Sequence, residues 1–109
     1  MRQGFQSNHF TDEQNRPAGG TTFGVGFAIG WQHGPLGRGQ DRKAPNGAFV
    51  EDIIDAARDR IGFYQLAAGG RFACPENAEA IQHLTAALEI LDSRTREREA
   101  RQVEGTHQP

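Results

Sequence analysis

The sequence predicts an α+β chain: a small N-terminal antiparallel β segment followed by an antiparallel two-helix hairpin, the whole assembled as an oligomer. Three observations predict it. Between Thr21 and Gln32, bulky apolar residues alternate with small or polar ones. Two later stretches repeat apolar residues at intervals of three and four. And the apolar supply is thin, 36% of 109 residues with a mean hydropathy of −0.68. Short chains bury a smaller share of their surface, and association is a common remedy. The chain divides accordingly into a polar arm over residues 1–18, a β segment with a basic loop over 19–45, and a hairpin with its tail over 46–109.

Phe5 and Phe10 are, beyond Met1, the only large apolar residues of the arm, which reads as flexible or as an extended segment that pairs only in the assembly. In the stretch Thr21 to Gln32, read as one strand, Phe23, Val25, Phe27, Ile29 and Trp31 form an apolar face opposite Gly24, Gly26 and Gly30. The glycines suit an open face, a bulge, or close approach of another backbone. A lone strand must pair. The candidates are the arm, the segment Gln40 to Ala44, or the same strand in a second subunit. His33 to Gly39 is turn chemistry, and Arg38, Arg42 and Lys43 make the loop basic.

The first helix is predicted from about Ala48 to Leu66, with Val50, Ile54, Ala57, Ile61 and Tyr64 along one face and Gly69-Gly70 as its stop. Pro75 suits the first position of a second helix, whose stripe is Ile81, Leu84, Leu88 and Leu91. The short connection makes the two helices antiparallel neighbours. Gly105 is the expected terminator.

A net charge of −2 gives no general attraction to a nucleic-acid polymer. One cysteine, Cys74, excludes a disulfide framework and reads as a packed thiol. The four histidines lack metal-ligand spacing, no run is apolar enough to span a membrane, and residues 1–10 lack the apolar core of a signal peptide. Gly24-Val25-Gly26 is not a dinucleotide fingerprint, because it lies within the expected strand rather than in a strand-to-helix turn.

Extending the stripe of the second helix past Leu91 reaches Arg94, Arg98 and Arg101, so a core-facing stripe becomes lined with guanidinium. Guanidinium holds phosphate bidentately and keeps its charge. A solvated helix end, neutralised by Glu97 and Glu99, fits the same pattern. Both readings stand on pattern alone.

The stretches Phe72-Ala73-Cys74-Pro75-Glu76-Asn77-Ala78, Ala86-Ala87-Leu88-Glu89 and Arg94 through His107 resemble the bacteriophage nucleotide sponges built on a helical hairpin. These counter the Thoeris and CBASS immune systems by sequestering the signal molecule. Trp31-Gln32-His33-Gly34-Pro35, Asn46-Gly47 and Glu51-Asp52 extend the resemblance to about two thirds of the chain. Pro75 and Gln102 depart from it, the second standing where glycine is expected before Val103. The resemblance implies a homodimer or homohexamer in the cytoplasm of the infected host. Capture without catalysis and without a cofactor is the expectation, since no nucleophile–base pair or metal constellation is visible in the sequence. By the resemblance the ligand would be a cyclic ADP-ribose isomer, as for members with an added sheet, or a cyclic di- or trinucleotide. The resemblance further implies that Tyr64 stacks on or walls in the base, Asn77 hydrogen-bonds ribose or base, and Arg94 and Arg98 hold phosphate with Arg101 as a helper. The rivals are a phosphodiesterase using Glu104 or His107 as its base, and a structural phage oligomer with no ligand.

Overall fold

The computed structural model describes residues 1–109. It is an α+β chain, a three-stranded antiparallel sheet followed by two helices. Two compact units result: Met1–Phe49 with Arg98–Pro109, and Val50–Glu97.

The first unit carries the sheet, β1 (Gln6–Thr11), β2 (Pro17–Gly24) and β3 (Phe27–Trp31), in the order β1-β2-β3. The arm is therefore neither loose nor dependent on another chain for its pairing: β1 pairs with β2 from Gln6 opposite Phe23 to Thr11 opposite Pro17. A side-chain turn makes this local. The carboxylate of Asp12 accepts the backbone N–H groups of Gln14 and Arg16 at 2.9 and 3.0 Å. The Arg16 N–H, more than any other group, holds that carboxyl below its ordinary range.

The single strand expected over Thr21 to Gln32 is instead a hairpin. Val25 and Gly26 connect β2 to β3, with Gly26 at φ +86°, where glycine is unstrained. So Gly24-Val25-Gly26 is no nucleotide loop, but because it is a strand-to-strand turn rather than a strand interior. The turn also splits the apolar face. Paired residues share a side of a sheet, and Thr22 pairs with Ile29 while Phe23 pairs with Ala28. Phe27, Ile29 and Trp31 thus share the face of Thr22, and Phe23 lies on the other. On the shared face Trp31 Nε1 donates to Thr22 Oγ1 at 2.8 Å, and that hydroxyl also meets Ser7 Oγ at 2.7 Å.

Beyond β3 the backbone of Ala48 bridges to Trp31, with Ala48 N–H donating to Gly30 O and Gln32 N–H to Ala48 O. Asn46 fastens this bridge by accepting the His33 N–H and donating its own N–H to Gln32 Oε1. The segment expected as a possible strand, Gln40 to Ala44, contains the end of a 3-10 turn, Gly39–Asp41, instead.

The second unit is the hairpin of α1 (Val50–Gly70) and the body of α2 (Pro75–Ala100). Helical geometry in α1 stops after Leu66, as predicted: Ala67 is extended, and Ala68 and Gly69 are left-handed. Pro75 opens α2 as expected. The stripe Ile81, Leu84, Leu88 and Leu91 lies inward, with Leu88 at 9% exposure. On α1 the inward residues are Ile54, Arg58, Ile61 and Gln65, while Val50, Ala57 and Tyr64 are exposed. The inward polar groups are used. Arg58 Nη1 donates to Thr85 Oγ1 across the hairpin, and the Gln65 amide clamps both the N–H and the carbonyl of Cys74. Leu88 and Ala18 are the only buried apolar residues, while Phe63, Leu66, Phe72 and Ile90 are more than half exposed. No helix is long and apolar enough to cross a membrane.

Candidate ligand site

Tyr64 lies at the hairpin's loop end, three residues before α1 loses helical geometry at Ala67, and the residue is 41% exposed. It is held by Arg60, one turn earlier. The guanidinium of Arg60 sits 5.0 Å from the Tyr64 ring centre and 5.0 Å from that of Phe63, and its Nε donates to the Tyr64 hydroxyl at 3.2 Å. Two aromatic rings and a cation are thus presented together. Sequence reading missed Arg60 and Phe63, although spacings of three and four on a helix were the available signal. Asn77 is half-buried in the first turn of α2.

Arg94 is exposed and makes no hydrogen bond or ion pair within the chain. It stands seventeen residues from Asn77 on the same helix, which at ~1.5 Å per residue is about 25 Å. One chain therefore does not bring Asn77 and Arg94 together. Between α1 and α2 lies a cleft lined by five carboxylates, those of Glu51, Asp52, Asp55, Glu89 and Asp92, against the one guanidinium of Arg58, which is paired with Asp55, so its charge is wrong for phosphate.

The extended arginine stripe is buried at one position only. Arg98 is 9% exposed, whereas Arg94 and Arg101 are exposed. What covers Arg98 is its own following segment. Its Nη2 donates to the carbonyls of Val103 and Thr106, both at 3.1 Å, and its Nη1 to the Gln108 carbonyl at 2.5 Å and a Pro109 oxygen at 3.0 Å. Arg101 Nη2 also donates to the Pro109 oxygen at 3.0 Å. All four terminal N–H groups of Arg98 are thereby engaged.

The turn that makes this possible follows α2 at once. Gln102 N–H returns to Glu99 O and Val103 N–H to Arg98 O, a Schellman closure. Its left-handed residue is Gln102, at φ +60°. The helix therefore ends at Ala100, ahead of the expected terminator Gly105. Gly105, at φ +80°, has a different role: a Cβ there would strike the carbonyl of Gly37, so glycine alone lets the two backbones meet. Around this contact Gly37 N–H donates to Gly105 O at 2.8 Å and Arg38 Nη1 to Glu104 O at 2.8 Å. Arg42 forks onto the Glu104 carboxylate at 2.6 and 3.2 Å. The hydrogen bond from Arg42 is the main reason the Glu104 carboxyl lies below its ordinary range. The basic loop and the final motif, separate in the sequence reading, are one structure.

No protein-family model matches the chain. Thoeris anti-defense 1 of Bacillus phage SBSphiJ7 is 40% identical to it over 80 residues, 73% of this chain and 51% of the relative. The chain thus spans about half the length of the curated relative it matches. That match makes this chain a member of the anti-Thoeris family of phage proteins to which Thoeris anti-defense 1 belongs.

Proposed function

We propose that the chain binds and withholds an immune-signalling cyclic nucleotide without degrading it, and so blunts bacterial antiphage defence in the cytoplasm of the infected host. The match to a phage protein named for Thoeris anti-defence carries this reading. The geometry supports it in three ways. The Tyr64 ring beside Arg60 offers a face for a base and a charge for phosphate. Arg94 is an exposed guanidinium without an internal counter-ion. Asn77 and Arg94 lie too far apart on α2 for one small ligand, so a site using both joins two copies of the chain. The many exposed apolar residues and the two buried ones favour association as well. The ligand class is a cyclic ADP-ribose isomer or a cyclic di- or trinucleotide.

Of the two bases open to a hydrolytic enzyme, Glu104 and His107, Glu104 is ill suited by its state. A carboxylate forked by Arg42 and held below its ordinary range is a weak proton acceptor. The test is recovery. The protein is loaded with cyclic ADP-ribose isomers or cyclic oligonucleotides, stripped of free ligand and heat-denatured. Intact ligand at no more than one equivalent per site is the expected result. Steady release of a cleaved product would establish an enzyme, and retention of none of these compounds would leave a structural role.

A further inference from the structure

Arg98 is the guanidinium that the resemblance assigns to phosphate, yet its terminal N–H groups all point at backbone oxygens of residues 103–109. What those bonds hold in place is Glu104, which in turn holds Arg38 through its carbonyl and Arg42 through its carboxylate. The loop so gripped has little else. Its other fixed points are Lys43 N–H on Leu36 O at 2.7 Å, Arg42 N–H on Gly39 O at 3.2 Å, Gly37 N–H on Gly105 O, the Arg42 guanidinium on Gly37 O at 3.3 Å and the Gln32 amide on Gly34 O at 3.3 Å. Leu36 is its only large apolar side chain, and Gly34, Gly37 and Gly39 all have positive φ. A loop of that composition is disordered unless tied.

We propose that Arg98 and Glu104 are positioning residues for anion capture: Arg98 fixes the turn after α2, and Glu104, carried on that turn, sets the guanidinium groups of Arg38 and Arg42 in the orientation a phosphate-bearing ligand meets. This rests on the capture reading above. Its consequence is a paradox of sign. Glu104 is a negative charge beside Arg38, Arg42 and Arg98, so by field alone its removal strengthens anion binding. If it positions the loop, its removal weakens binding, because the ligand must then order the loop itself.

The test compares Glu104→Gln with Glu99→Gln in the full chain. Glu99 is a second carboxylate that acts on Arg42 through its charge alone. Two readouts are taken: amide hydrogen exchange at Gly37 and Lys43, and equilibrium affinity for cyclic ADP-ribose and for a cyclic dinucleotide. Glu104→Gln is expected to speed exchange at both amides at least tenfold and to weaken ligand binding at least tenfold. Glu99→Gln is expected to leave exchange unchanged and binding equal or slightly tighter. Arg98→Lys, which keeps the charge and loses the fork, should behave like Glu104→Gln. Unchanged exchange in Glu104→Gln, or tighter binding, overturns the proposal. A wild-type chain that retains neither compound would overturn the capture reading and the ligand half of the proposal with it. The exchange rates would still decide whether the turn sets the loop.

Discussion

A site that needs Asn77 from one copy and Arg94 from another can be rebuilt from two impaired chains. The two residues are about 25 Å apart along α2, while side chains reach only ~5–6 Å from a helix axis. Two variants each weaken capture on their own. Arg94→Ala removes a charge-assisted phosphate contact of roughly 1.5–3 kcal/mol, a loss of about ten- to a hundredfold in affinity. Asn77→Asp sets a carboxylate against the ligand's phosphates, and in the first turn of α2 an acid suits the helix dipole, so the fold is kept. If the variants are unfolded together and refolded as an equal mixture, each site draws its two halves at random. One combination in four is then wild type in both, so about a quarter of the wild-type capacity returns, at wild-type affinity. Isothermal titration gives both quantities. Zero recovered capacity, in a mixture shown by native mass spectrometry to contain both chains in one assembly, would place the two residues in the same-chain site or in no site, and the reasoning from helix length would be refuted.

Other outcomes follow from the sheet unit and its closing turn. Thr22→Val leaves the Trp31 indole N–H and the Ser7 hydroxyl without their partner, and should cost ~1–3 kcal/mol, read as a lower melting temperature in Trp31 fluorescence, with Thr22→Ser largely retaining stability. Gln102→Gly relieves a left-handed non-glycine residue and should raise stability by up to ~1 kcal/mol; an unchanged or lower melting temperature would contradict the closure described. The Glu104 carboxyl is lowered on folding, so its pairing with Arg42 contributes fully above the unfolded glutamate value of ~4.3 and is lost as pH falls through the folded value below it. Backbone amide shifts of Gly37 and Gly105 should therefore titrate together below the ordinary glutamate range, and not at all in Glu104→Gln.

The helices were legible in the sequence because their signals are local. Pro75 marks the start of α2, and Leu84 and Leu88 declare an inward face by spacing alone. The sheet was half legible. Alternation through Thr21 to Gln32 survives a two-residue turn without a visible break, since Val25 and Gly26 also fit the pattern of a strand. Only pairing shows that Phe23 and Phe27 lie on opposite faces. The strand in the arm was hidden because Gln6 to Thr11 is mostly polar, and its register comes from β2 and the Asp12 turn. For the site, the arginine stripe was visible as charge, but not its fate. Whether Arg98 faces a ligand or its own chain depends on the left-handed step at Gln102, which no helical periodicity reports.

Leu88 and Ala18 alone are buried among apolar residues, and this sets which substitutions a chain of this build absorbs. Half-exposed positions such as Ile81 or Ile54 accept another aliphatic side chain with little loss, since no tight cavity must be refilled. The intolerant positions are where backbone meets backbone or a side chain replaces a missing peptide partner: Gly37 against Gly105, Asn46 on His33, Asp12 under Arg16. Lineages of such a protein would drift freely along their helices and stay anchored at their corners, so that kinship is written in the turns.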